Sequence, residues 1–259
     1  MTAAAAQCEE FAVDAGHVHL AVEMLSPPPE RLAAFPALLL TFAAARGDNL
    51  HVEPYYLAAQ AFVAAGHRAA SFDLPSHGER VDPYGEGITG WRNALAAGED
   101  VFARFVTEGQ AVIAECLIRG LAQPGRITVA GTSRGGYMAL RLMAADDRIA
   151  AAAGFAPVTD WRHLTEFRED AARPEVAALA LHRFVPQLAG RPVCLSIGSS
   201  DDRVSTAACV CLADNLKAAG KRADMVCFTL TDDPGHTMGA EGYAAGAAFL
   251  LRSLEDARA

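Results

Sequence analysis

The chain has 259 residues, 52% apolar and 20% charged, and 22 basic against 31 acidic side chains leave a formal charge of −9. That length suits one large α/β domain with enough chain to bury a core. The acidic balance, with no clustered basic stripe, excludes a nucleic-acid footprint. No run of about 18 apolar residues is present, so no membrane span is expected; the most apolar stretch, Ala33 to Ala45, is broken by Pro36 and ends at Arg46.

The first residues carry no basic segment, and Glu9 and Glu10 come too early for a secretory signal. A cytoplasmic location is therefore expected. Six cysteines (Cys8, Cys116, Cys194, Cys209, Cys211 and Cys227) sit mostly in apolar runs without a C-x-x-C pair. Buried, reduced thiols are expected rather than a zinc or redox centre.

In chain order, Phe11–Val13 and Val18–Met24 alternate around Asp14-Ala15-Gly16, which reads as a hairpin. Pro27-Pro28-Pro29 breaks the chain, and Ala37 to Phe42 forms an apolar run suited to a strand buried on both faces. A helix is expected from Pro54 to Ala65, a strand over Arg68–Leu74 and one long helix from Trp91 to Leu121. Strands follow at Arg126–Gly131, Ile149–Ala156, Pro192–Gly198 and Ala223–Leu230. Helices follow at Gly135–Ala145, Thr206–Ala219 and Glu241–Leu254. Asp160 to Ala189 is more charged and mostly helical. The pattern predicts an α/β fold of about eight strands, mostly parallel, with helices on both faces and an antiparallel N-terminal hairpin. No repeat or linker divides 1–259, so a single domain is expected, with a small lid-like helical insertion at about 160–190.

One motif carries chemistry. Gly131-Thr132-Ser133-Arg134-Gly135 matches G-x-S-x-G and lies between a predicted strand and a predicted helix. A nucleophile elbow needs that turn, which aims the hydroxyl outward and places the next N–H at a helix start. A serine hydroxyl attacks only when a base takes its proton, and the base needs an orienting carboxylate. In the order that this architecture requires, Asp201 follows one strand and His236 follows the last, so three strand ends present Ser133, Asp201 and His236 at one sheet edge. Asp202 is the rival acid. His17 and His19 could share a strand face and bind a metal, but no further ligand follows at a useful spacing. Gly85 to Gly90 fits G-x-G-x-x-G, yet a turn, not a strand, precedes it, which argues against dinucleotide binding.

These residues resemble the α/β-hydrolase superfamily over almost the whole chain, and within it the dienelactone hydrolase and prolyl-oligopeptidase-like branch. The elbow Gly131–Gly136, the acid loop Gly198–Val204, Gly235-His236, Ala156 to Trp161 and the loop Asp73-Leu74-Pro75-Ser76-His77-Gly78 carry the likeness. The resemblance implies the α/β-hydrolase fold, with Ser133 as nucleophile, His236 as general base and then acid, and Asp201 as its orienter. Many members carry His-Gly after the strand that supplies the oxyanion hole, where this chain has Thr41-Phe42-Ala43-Ala44. Backbone N–H groups do that work. Those of Arg134 and Phe42 are expected to form the hole, with Ala43 as the alternative and the Phe42 ring beside the acyl pocket.

The reaction expected is hydrolysis of a small-molecule carboxylic ester through an acyl-enzyme, with no metal or organic cofactor. Thioester hydrolysis, transfer to another acceptor and peptide cleavage would use the same triad; a non-catalytic ligand-binding protein is the reading from another class. Peptidase relatives carry a propeller domain, and no such repeats occur here. Ala43, Trp91, Arg92, Trp161 and His163 are the candidates for the pocket wall. A monomer and a homodimer are both compatible with the charge.

Overall fold

Alternation of apolar and polar side chains builds the first hairpin. In the computed structural model, which describes residues 6–220 and 222–256, β1 (Gln7–Asp14) pairs antiparallel with β2 (His19–Ser26), from Gln7 opposite Ser26 to Asp14 opposite His19. Phe11, Val13, Leu20, Val22 and Met24 turn one face inward and are buried. Beyond the Pro-rich break, β3 (Leu38–Phe42) is buried at every position, as a strand covered on both faces must be.

Helices α1 (Arg46–His51) and α2 (Leu57–Ala64) follow, then β4 (Arg68–Phe72). The single helix expected over 91–121 is two, α3 (Gly87–Ala96) and α4 (Val101–Ile118). Gly98 turns the chain at φ +90°, and the Asp100 carboxylate caps α4 by accepting from the N–H groups of Phe102 (3.1 Å) and Ala103 (2.9 Å). Next come β5 (Ile127–Thr132), α5 (Arg134–Ala145) and β6 (Ile149–Phe155).

The insertion contains only short pieces: 3-10 turns at Trp161–His163, Thr165–Asp170 and Leu181–Phe184, with α6 (Pro174–Ala178) and α7 (Val185–Leu188). Then β7 (Val193–Gly198), α8 (Thr206–Ala219), β8 (Val226–Thr231) and α9 (Ala240–Asp256) complete the fold. β8 starts later than expected because Ala223–Met225 forms a 3-10 turn.

Among the described residues the eight strands form one sheet in the order β1-β2-β4-β3-β5-β6-β7-β8. β2 meets β4 antiparallel, and every pair from β4 to β8 is parallel. α2 packs on α9 over one face, while α4, α5, α7 and α8 make a contiguous layer on the other. This is the α/β-hydrolase fold. Parallel order brings the C-terminal ends of β3, β5, β7 and β8 to one edge, where ligands bind in open α/β sheets.

The inner layer is sealed by aromatic side chains. Trp161 packs against Trp91, Phe102, Tyr137 and Phe167 with ring centroids 5.0–5.4 Å apart. The insertion is held down by the same contacts and by the Tyr137 hydroxyl, which donates to the Leu179 carbonyl at 2.8 Å.

Three cysteines depart from expectation: Cys8 and Cys211 are exposed and Cys227 is half-buried, while Cys116, Cys194 and Cys209 are buried, and all six are free thiols. His17 and His19 do not act together, because His17 bonds through Nε2 to the buried carboxylate of Glu108 (3.0 Å). Among the described residues no helix is long and apolar enough to cross a membrane.

Candidate active site

The elbow forms because its glycines let three backbone segments touch. A Cβ on Gly131 would lie 2.3 Å from the Gly135 carbonyl, and one on Gly135 would lie 2.1 Å from the Phe42 oxygen. Ser133 between them takes φ +57° and ψ −120°, a strained position for a side chain bearing a Cβ. It is locked there: its N–H donates to the Phe155 carbonyl (2.9 Å), and its own carbonyl accepts from Val158 (3.0 Å). The hydroxyl stands clear of α5, whose first residue is Arg134.

Two loops complete a chain of hydrogen bonds. His236 Nδ1 lies 2.8 Å from Asp201 Oδ2, and its Nε2 lies 3.0 Å from Ser133 Oγ. A carboxylate only accepts, so the proton sits on Nδ1 and the serine hydroxyl donates to Nε2. Asp201 is 1% exposed, and its second oxygen accepts the N–H groups of Arg203 (3.0 Å) and Val204 (3.2 Å). Thr206 fixes the turn by accepting from the Asp201 N–H (3.0 Å) and donating to the Gly198 carbonyl (2.6 Å). Asp202, the rival acid, faces solvent. The His236 loop is held by Asp233, which accepts from the Gly239 N–H (3.2 Å), and by Thr237 Oγ1, which donates to the Pro234 carbonyl (2.8 Å).

The facing wall comes from the segment after β3. Here the expected placement of Phe42 is corrected. Phe42 is the last strand residue, in register with Gly131, and its ring is buried against Phe72 and Phe105 rather than beside a pocket. Ala43 and Ala44 reach the cavity instead. Their N–H groups donate to Asn49 Oδ1 at 2.7 and 2.9 Å, so in this conformation neither points free toward an oxyanion. Asn49 is fully buried on α1; its Nδ2 donates to Ser71 Oγ (2.7 Å), which donates to the Thr41 carbonyl (2.7 Å). Asp73, in the loop after β4, clamps the start of α1 through the Arg46 N–H (2.7 Å) and guanidinium (2.8 Å). The Asp73–Gly78 loop thus braces this wall.

Above the serine lies a cavity of about 470 Å³ walled by Ala43, Tyr55, Ile88, Arg134, Arg203 and Tyr243 among others. No carboxylate lies among its described lining residues. The Arg134 guanidinium donates through Nε to the Ala43 carbonyl (3.0 Å) and has no carboxylate at ion-pair distance among the described residues. Burial holds its pKa below the usual arginine range. Arg203 is paired instead, donating to both oxygens of Glu166 at 2.6 and 2.8 Å; that bond holds the Glu166 carboxyl below its ordinary pKa.

Four other expected wall residues are elsewhere. Trp91 and Trp161 are fully buried in the aromatic layer, where Trp91 Nε1 donates to the Pro75 carbonyl (2.5 Å). Arg92 pairs with Asp170 (2.5 Å) and Glu169 (3.0 Å), and His163 faces solvent. Large aromatic residues near a predicted site are core residues here because the insertion packs flat on α5. None of the residues lining the cavity comes from 160–190, and Glu166 meets its rim only through Arg203. Tyr55, Arg203, Tyr243 and the buried Asn49 were missed; only the tertiary fold brings them to Ser133, although Arg203 lies inside the acid loop that the sequence singles out.

Comparisons with known proteins agree with this fold. The sequence profile of the prolyl oligopeptidase family matches residues 80–256. No curated protein matches. Among solved structures, a protein from Thermus thermophilus is similar over 97% of this chain and 99% of its own, at 24% identity and a TM-score of 0.75. A cold-adapted esterase from an Arctic intertidal metagenomic library is similar over 96% and 94%, at 21% identity and a TM-score of 0.70. An acylaminoacyl peptidase from Pyrococcus horikoshii is similar over 98% of this chain but 41% of its own, at 15% identity and a TM-score of 0.70.

Proposed function

This chain belongs to the prolyl oligopeptidase family and is a serine hydrolase of the α/β-hydrolase type, and from that premise we propose that it cleaves small carboxylic esters through an acyl-enzyme on Ser133. The observation that carries the reading is the unbroken chain from Ser133 Oγ through His236 to the buried Asp201, opening into the cavity. As Ser133 attacks the ester carbonyl, its proton passes to His236 Nε2, and Asp201 stabilises the imidazolium through Nδ1–H. The Arg134 N–H, at the first position of α5, is the donor best placed for the oxyanion. His236 then gives its proton to the leaving alcohol, and water releases the acyl group by the reverse path.

Two observations support an ester over a peptide, and a charged ester over a neutral one. The Arctic esterase is covered over 94% of its length and the acylaminoacyl peptidase over 41%. The cavity wall carries two guanidinium groups, one of them without a carboxylate partner, in a protein of net charge −9. A half-buried cation with no counter-ion among the described residues favours a ligand that brings one.

The test is hydrolysis of p-nitrophenyl butyrate and of the p-nitrophenyl half-ester of succinate, with Ser133→Ala beside the native protein. Turnover that falls by about 10⁴-fold or more in the variant is expected. An undiminished rate in Ser133→Ala overturns the reading.

A further inference from the structure

Away from the cavity, three chemically distinct metal ligands converge on the outer face of the first hairpin. Cys8 lies on β1, Glu23 on β2, and His51 is the last residue of α1. The register explains the first two: Cys8 stands opposite Leu25 and Glu23 opposite Glu10, so Cys8 and Glu23 are diagonal neighbours on one side of the ladder. The opposite side carries the buried Phe11 and Val22. α1 packs against β2 and delivers His51. The Cys8 thiol donates to Glu23 Oε1 at 3.2 Å, and His51 Nε2 bonds to the same oxygen. One donor atom from each residue lies within 4.8 Å of the other two.

A cluster of surface hydrogen bonds could look similar, but two features favour more. The nearby cation Arg46 spends its guanidinium on Glu10, Asp73 and Glu79 rather than on Glu23. The donor set is also one sulfur, one imidazole nitrogen and one carboxylate oxygen, the combination that suits zinc-class ions. Tetrahedral bonds of about 2.0–2.3 Å place ligand atoms roughly 3.3–3.7 Å apart, within a side-chain adjustment of the arrangement present. Cys8 and His51 are exposed, which leaves the site open to solvent.

We propose that Cys8, Glu23 and His51 bind one divalent ion of the zinc class, with water in the fourth position. Binding forms a metal–thiolate bond, displaces water from the ion and releases the Cys8 proton to solvent; no oxidation state changes. Ligation needs the thiolate and the neutral imidazole. Affinity therefore weakens as pH falls. The ion would join β1, β2 and the end of α1, two residues beyond Asn49, and so brace the segment that holds Ala43 and Ala44. It takes no part in the reaction.

Titration of the chelator-treated protein with Co²⁺, followed by displacement with Zn²⁺, tests this directly. The expected result is one equivalent of Co²⁺ with a thiolate-to-cobalt charge-transfer band, bleached by Zn²⁺, and proton release on binding. Cys8→Ser abolishes the band, and His51→Gln weakens binding by about tenfold or more. Zn²⁺ raises the melting temperature of the native protein and not of Cys8→Ser, whose metal-free melt confirms that it folds. A band that survives in Cys8→Ser, or the absence of a thiolate band in the native protein, overturns the proposal.

Discussion

The two sides of the cavity are fixed in different ways. On the Ser133 side, each group is held by backbone close to it: Ser133 by Phe155 and Val158, Asp201 by the amides of Arg203 and Val204, His236 by a loop that Asp233 closes. The facing wall is held at a distance. The Ala43 and Ala44 amides depend on Asn49, Asn49 on Ser71 of β4, and the start of α1 on Asp73. The Ser133 side should therefore tolerate changes in the periphery, whereas the facing wall takes its shape from α1 and β4.

The sharpest test within the Ser133 side is the choice of acid. Asp201→Asn should lower kcat by about 10⁴-fold because it no longer fixes the imidazole tautomer, while Asp202→Asn leaves kcat within about twofold. Equal losses would erase the distinction between the buried and the exposed carboxylate. On the facing wall, Asn49→Ala removes, at a fully buried position, the acceptor of the Ala43 and Ala44 amides and the donor to Ser71 Oγ. We expect a loss of about 2–4 kcal/mol in urea unfolding, together with a roughly tenfold drop in kcat at unchanged KM. A stability loss with kcat untouched would make the two sides independent in function.

The third prediction concerns pH. Burial lowers the pKa of His77 to about 4, and its Nε2 has no partner among the described residues. Between the unfolded value of about 6.5 and the folded value, the unfolded chain binds the extra proton. Stability is thus full above that range and falls by up to about 3 kcal/mol as pH drops through it. His77→Asn should flatten this part of the stability–pH curve, measured by chemical unfolding; an unchanged slope would refute it. The smallest effect is one of selectivity. Arg134→Met should lower the ratio of kcat/KM for the succinate half-ester to that for the butyrate ester by about tenfold, and Arg134→Lys should restore part of it. Reading the ratio cancels any general loss of rate.

What the chain reveals about itself follows the same division. Ser133, Asp201 and His236 could be read because each sits in a turn whose glycines and spacing are local. The hairpin could be read from its alternation, and the parallel strands because doubly covered strands such as Leu38–Phe42 are continuous apolar runs. The break at Gly98 to Asp100 was missed, because the helical pattern runs on both sides of it. The wall was not legible, because an aromatic residue gives the same sequence signal in a core as in a pocket: Trp91 and Trp161 proved to be core. Asn49 gave no sign at all, since its role depends on β3 and β4 meeting α1.

Arg203 joins two functions in one residue. Its backbone N–H holds the second oxygen of Asp201, and its side chain grips Glu166 in the insertion. The segment between β6 and β7 is therefore not an interchangeable module. A graft that replaced it to alter substrate range would leave the Arg203 guanidinium without Glu166 at the cavity wall, and would have to bring its own carboxylate to the place where Glu166 stands.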